Sequence, residues 1–195
     1  MNRALALTLL AVVLAACGGG KPASSQMAQQ AASQPAQTSA PSMKGQLEAL
    51  EQQGVLPELD RSTDIAGPDV DGNGIRDDID VYITALPMSE LVKRAARQVA
   101  RVQQKALLIN LKDQPALLRL ADAEAASTAC MSSTILNGVS PELTSRMLRE
   151  GHAITFKIEA ITANTPERAE RYLAYMGALH GTTTTYPTGK VCDEE

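Results

Sequence analysis

Between residues 43 and 181, apolar side chains recur every three or four positions, which is the period of an amphipathic α-helix. No long alternating run of β-branched residues interrupts this pattern, and the β-prone run 182–185 is short and has no partner strand. The period therefore predicts an all-α fold, a small helical bundle over residues 43–195. The clearest stripe consists of Leu91, Ala95, Val99, Val102, Ala106 and Ile109.

Capping residues predict where the helices of the bundle begin. A short helix over 43–53 ends at Gly54, and another short helix ends near Leu86, before Pro87. Aromatic residues make up only 3% of the chain, with no Trp and one Phe, so Leu, Ile, Val, Ala and Met must build the core. The predicted caps of the longer helices are Ser89, Asp113, Ser140, and Asn164 or Thr165.

The N-terminus has the features of an export signal over residues 1–16. Arg3 supplies a positive charge, and the apolar run 4–14 is shorter than the roughly 20 residues of a transmembrane helix. Residues 14–17, Leu-Ala-Ala-Cys, resemble the bacterial lipobox. The resemblance implies cleavage before Cys17 and attachment of a lipid anchor to its thiol. The alternative is an ordinary secretory signal in which the cysteine stands by coincidence.

Residues 17–42 are predicted to form the lipidated start of the mature chain and a disordered tether of low complexity. By resemblance to lipoproteins of Gram-negative bacteria, Gly18 after the lipidated cysteine implies sorting to the outer membrane, facing the periplasm. The net charge of −4 disfavours nucleic-acid partners, which require a positive surface. It also gives no electrostatic attraction to anionic lipid, so lipid on the cysteine is the predicted membrane contact.

Residues 69–80, Asp-Val-Asp-Gly-Asn-Gly-Ile-Arg-Asp-Asp-Ile-Asp, carry the sharpest chemical signal. Calcium prefers six to eight oxygen ligands, and alternate side chains of a tight loop can converge to supply them. Gly74 stands at the sixth position, where a turn excludes most side chains. An acidic glycine-rich turn without metal is the alternative. The predicted calcium ligands are Asp69, Asp71, Asn73, the carbonyl of Ile75, Asp77 and Asp80.

This loop resembles EF-hand loops, and it resembles the thrombospondin type 3 and dockerin variants more closely. In those variants Asp is common at position 12 and Gly-Ile follows position 5, as here. The chain departs from a full EF-hand because residues 67–68, Gly-Pro, replace an entering helix and no second loop is present. These departures favour a structural ion over a sensor. Calcium is accordingly the predicted cofactor.

Two cysteines remain after Cys17, namely Cys130 and Cys192. In an oxidising compartment they are predicted to form a disulfide that fastens the C-terminal tail to a helix. Two free thiols, or one catalytic cysteine, are the alternatives.

No catalytic motif is evident, so no catalytic residues are predicted. The first hypothesis is a non-enzymatic interaction or scaffolding protein with an envelope-protein or cell-wall partner. The alternatives are a cell-wall hydrolase, which would need His152 or His180 beside an acid in a cleft, and a small-ligand binding lipoprotein, which needs a sizeable pocket. A basic stripe on one helix, which could grip an anion but is more often a solvated face, consists of Arg94, Arg97, Arg101 and Lys105.

Overall fold

A computed structural model describes residues 42–194 of the chain. The predicted signal peptide 1–16, Cys17 and residues 18–41 of the predicted tether lie outside the described residues.

The regular secondary structure of residues 42–194 is entirely helical, and this part of the chain contains no β-strand. Among the described helices, none has both the length and the apolar character needed to cross a bilayer. The all-α fold predicted from the apolar period is thus confirmed. The helices are α1 (Met43–Gln52), α2 (Asp77–Ala85), α3 (Glu90–Leu108), α4 (Gln114–Ile135), α5 (Thr144–Thr162) and α6 (Pro166–Ala178), with a 3-10 turn at Pro141–Leu143.

Side chains cap three of the longer helices where the sequence predicts. The side chains of Ser89, Asp113 and Thr165 accept hydrogen bonds from backbone N–H groups of the first turns of α3, α4 and α6. Ser140 instead precedes the 3-10 turn, so α5 begins later than its cap predicts, at Thr144. The reason is local, because the N–H of Leu143 bonds the carbonyl of Ser140 three residues back.

Helix α3 is the centre of the bundle and packs against α2, α4, α5 and α6. Its buried positions include Val92, Ala96 and Val99. As the composition predicts, the core is mainly aliphatic, with Tyr82 and Tyr175 as the buried aromatic side chains of residues 42–194. The buried apolar side chains form two clusters. One contains residues of helices α1 through α5, and the other contains residues of α3, α4 and α6.

The C-terminal segment lies against α3 and α4. Cys130 on α4 and Cys192 form a disulfide across 62 residues, which is the predicted pairing. Gln98 reinforces it, because its amide donates to the carbonyl of Val191 and accepts from the N–H of Asp193. Arg101 pairs with the Asp193 carboxylate at 3.0 Å. The tail is therefore held by covalent, polar and ionic contacts within the three residues 191–193.

Candidate metal centre

The acidic loop precedes α2 and is closed by its own hydrogen bonds. The N–H of Asp77 donates to the carbonyl of Pro68 at 2.9 Å, and the N–H of Val70 donates to the Asp77 carboxylate at 3.0 Å. Gly72 and Gly74 have φ angles of 71° and 80°, which other residues rarely adopt. The two glycines thus permit the tight turns that bring the start and the end of the loop together.

Three carboxylates converge in this loop. Oxygens of Asp69, Asp71 and Asp77 all lie within 4.8 Å of one another. Three hard oxygen donors at this separation could hold a metal ion between them. The sequence spacing places these side chains together because the loop turns at its glycines between positions 71 and 77. We call Asp69, Asp71 and Asp77 the acidic triad.

Part of the acidic triad is also used to shape the loop. The Asp69 carboxylate accepts from the N–H groups of Asn73 and Gly74, at 3.1 and 2.9 Å. Asn73 accepts from the N–H of Ile75 at 2.8 Å, and its amide donates to Asp71 at 2.9 Å. The buried side chain of Ile75 fixes the backbone that carries its predicted ligand carbonyl, since it is only 1% exposed.

Asp80 lies apart from the acidic triad. Helix α2 begins at Asp77, inside the twelve-residue segment, so Asp80 sits one helical turn further on. There its carboxylate pairs with Arg97 of α3 at 2.8 Å. Asp80 therefore bonds Arg97, and the structure does not bring its carboxylate to the other predicted ligands.

The basic stripe of α3 is largely used inside the molecule. Arg97 bonds Asp80 and the hydroxyl of Thr84, and Arg101 bonds Asp193. The stem of Arg101 also lies against Gly74, 3.7 Å from where a Cβ would stand. These contacts tie the loop, α3 and the C-terminal segment together. Arg97 and Arg101 of the stripe are therefore engaged by acidic side chains of the same chain.

Beneath the loop lies a buried arginine that the sequence analysis missed. Arg76 is fully buried, and its guanidinium makes a two-point contact with Asp78 at 2.6 and 2.9 Å. It also donates to the carbonyl of Ile161 at 2.8 Å. Asp78 in turn accepts from the N–H of Asp60 at 2.8 Å. Arg76, which lies between the predicted ligands Ile75 and Asp77, thus anchors the start of α2 to the end of α5.

A second buried arginine, Arg168 of α6, organises the segment before the loop. Its side chain donates to the Asp60 carboxylate at 2.5 Å and to the carbonyls of Asp60, Asp64 and Ile65 at 2.7, 2.7 and 3.2 Å. It also donates to the side chain of Asn164. Burial opposes ionisation of Asp60, but hydrogen bonds from Arg168 and Ser62 outweigh it and hold the pKa of Asp60 below its usual value. One feature of the sequence could have identified Arg168, because a cation in the first turn of a helix is unfavourable next to the positive end of the helix dipole.

The two arginines approach each other across Gly67. A Cβ on this residue would stand 2.3 Å from Cδ of Arg76 and 3.0 Å from a terminal nitrogen of Arg168. Gly67 has a φ of 67°. The segment 60–67 can therefore wrap both side chains only because glycine occupies this point, which explains why Gly-Pro replaces an entering helix.

Neither histidine has a neighbouring acid in a cleft. His152 and His180 are exposed, and in the described part of the chain neither side chain takes part in an ion pair or hydrogen bond. The hydrolase hypothesis therefore has no supporting geometry at these positions. No protein-family model matches this chain, and neither a curated protein nor a solved structure matches it.

Proposed function

We propose that this chain is a lipid-anchored protein of the bacterial envelope, held through Cys17 at the outer membrane and facing the periplasm. Its helical domain holds a structural calcium ion and acts by binding or scaffolding an envelope or cell-wall partner. The observation that carries the metal assignment is the acidic triad, whose oxygens lie within 4.8 Å of one another.

Calcium is the preferred ion because of the donor set. The acidic triad offers three carboxylates, and Asn73 and the Ile75 carbonyl are further oxygen donors in the same loop. Calcium accepts six to eight oxygens in flexible geometry, whereas magnesium demands near-ideal octahedral geometry and retains its water. With Asp80 engaged by Arg97, water would complete the coordination.

A structural role follows from the position of the loop. A bound ion would offset the mutual repulsion of the acidic triad, and Asp77 is also the first residue of α2. Its two neighbours, Arg76 and Asp78, form the buried ion pair beneath the loop. The ion would therefore stabilise the start of α2 and the segments that pack on it, and it needs no conformational switch.

The test is the thermal unfolding of the full chain in detergent, followed by circular dichroism. With a Kd of about 10⁻⁴ to 10⁻³ M, about 5 mM calcium adds roughly 1 to 2 kcal/mol of stability. For a domain of this size that raises Tm by about 3 to 6 °C. Magnesium at the same concentration should give a clearly smaller rise.

The matched variants isolate the metal. Asp69→Asn with Asp71→Asn removes two charges but retains side-chain oxygens for the turn, and it should abolish the calcium shift. Asp122→Asn with Glu170→Gln removes two exposed charges elsewhere and should keep the shift. An unchanged Tm of the wild type in calcium would refute the ion assignment.

The anchor is tested separately in cells grown with labelled palmitate. The wild type should carry the label and fractionate with the outer membrane. The Cys17→Ser variant should lose both properties, since serine lacks the thiol on which the thioether forms. Label retained by this variant would contradict the anchor without bearing on the ion.

A further inference from the structure

An open cavity of about 580 Å³ lies between α4, α6 and the segment 182–186. Ligand pockets in proteins typically enclose about 300 to 1,000 Å³. This cavity shares no residue with the acidic loop, so its role is independent of the metal. We call it the α4–α6 cavity.

Glu124 is the one charged side chain among the residues that line the α4–α6 cavity. Its carboxylate accepts a hydrogen bond from the hydroxyl of Tyr175 at 3.2 Å. In the described part of the chain no basic side chain is paired with it, and the charged group that acts on it is a second carboxylate, Glu159. A half-buried carboxylate without a basic partner lacks the counter-charge that burial of an ionised carboxylate ordinarily demands.

The remaining walls divide into apolar and hydroxyl-bearing surfaces. Ala121, Ala125 and Met176 offer aliphatic surface, and Thr182 and Thr184 offer hydroxyl groups. An anionic ligand would meet Glu124 and no basic group among these lining residues. A cation with an aliphatic stem would meet both a carboxylate and apolar surface.

An aromatic ring adds a second feature suited to a cation. Tyr186 lines the same cavity and is 78% exposed, so its ring is accessible from solvent. Cations are attracted electrostatically to the face of such a ring. The Glu124 carboxylate and the Tyr186 ring therefore line the same cavity from different segments of the chain.

From these features we infer that the α4–α6 cavity binds a primary ammonium group carried on an aliphatic chain, with Glu124 as its counter-ion. Burial of the Glu124 carboxylate without a basic side chain is then explained by a ligand-binding role. The ammonium group takes the place of the missing basic side chain, and the stem lies on Ala121, Ala125 and Met176. Free alkylamines and lysine side chains of a peptide share this chemistry.

The experiment is ligand-observed NMR titration of the full chain in detergent with three six-carbon probes, n-hexylamine, n-hexanol and hexanoate. Hexylamine should bind saturably and at least about tenfold more tightly than the other two, as a charge-assisted hydrogen bond implies. Glu124→Gln, which retains shape and the Tyr175 contact, should lower hexylamine affinity by about tenfold or more. Glu170→Gln, an exposed carboxylate on α6, should leave it unchanged.

Two further arms sharpen the result. Ala125→Leu fills the cavity while keeping Glu124, and it should block hexylamine as well. Nα-acetyl-lysine methylamide distinguishes the sources, since tighter binding than hexylamine points to a peptide side chain and weaker binding to a free amine. Equal binding of hexanol, unchanged binding by the Glu124→Gln variant, or no saturable binding of any probe would overturn the proposal. Because neither probe nor variants touch the acidic loop, such a failure would leave the calcium test intact.

Discussion

Replacing Arg168 by Met tests whether the buried arginines hold the segment before the acidic loop. Met fills a similar volume with an apolar chain but donates no hydrogen bond. The substitution leaves the Asp60 carboxylate without its buried cation, and it leaves the carbonyls of Asp64 and Ile65 without the donors that Arg168 supplies. The packing of α6 against α3 should remain.

The expected magnitude follows from these contacts. Removing one partner of a buried ion pair costs about 3 to 5 kcal/mol, because the other charge is left uncompensated. The side chain of Asp60 is 18% exposed and keeps its bonds to Ser62, which lowers the penalty. The carbonyls that lose Arg168 add to it, at about 1 to 3 kcal/mol for each group that water cannot reach. A total loss of about 4 kcal/mol is expected.

Urea unfolding at pH 7, followed by circular dichroism with the disulfide intact, measures this loss. The midpoint should fall with little change in the denaturant slope. Arg119→Met removes an exposed arginine of α4 and should change stability by less than about 0.5 kcal/mol. A loss below about 1 kcal/mol for Arg168→Met would refute the claim that burial makes this arginine structurally essential.

The same variant carries a pH signature. Because the pKa of Asp60 is lowered in the folded protein, its ionisation stabilises the fold above the unfolded pKa of about 3.9. That contribution disappears as the pH falls from there through the folded pKa. On acidification below about pH 4 the wild type should therefore lose the part of its advantage over the Arg168→Met variant that comes from the ionised Asp60 carboxylate. A stability difference that stays constant down to pH 2 would contradict this assignment.

Three further substitutions test other parts of the structure. Gly67→Ala should destabilise by about 3 kcal/mol or more, since strain at positive φ adds to a clash with Arg76, whereas Gly54→Ala, at a similar φ in open space, should cost about 1 kcal/mol. Cys192→Ser opens the loop of 62 residues and should cost about 4 kcal/mol in urea unfolding, with the tail becoming sensitive to protease. Burial raises the pKa of Glu124, so its ionisation opposes folding as the pH rises. The Glu124→Gln variant should therefore have a higher Tm than the wild type at pH 7 and lose that advantage near pH 4. An equal gain in Tm at both pH values would refute this assignment.

Much of the helical structure could be predicted from the sequence because its causes are local. Caps such as Ser89 and Asp113 act within four residues, and the apolar stripe of α3 reports which face is buried. The disulfide was predicted from the number of cysteines, since only Cys130 and Cys192 remain once Cys17 is assigned to a lipid anchor and an oxidising compartment is expected. The acidic triad was predictable because its causes are also local: its three members lie within nine residues, and the glycines dictate the turn.

Other features depend on residues that are distant in the chain. Asp80 bonds Arg97 of another helix, and Arg168 bonds a segment about 100 residues earlier. The α4–α6 cavity joins the middle of one helix to the C-terminal segment. A charged side chain in a sequence carries no mark of burial, because arginine is ordinarily exposed and only packing decides otherwise.

The sequence by itself determined the all-helical class, the starts of α1, α3, α4 and α6, and the clustering of carboxylates, since each depends on residues within a turn or two of one another. Only the tertiary structure decided which charges are buried together, which predicted ligand is drawn away by a neighbouring helix, and where a cavity remains. These outcomes depend on contacts between segments up to 108 residues apart. Such contacts form only when the whole domain excludes water from both partners at once.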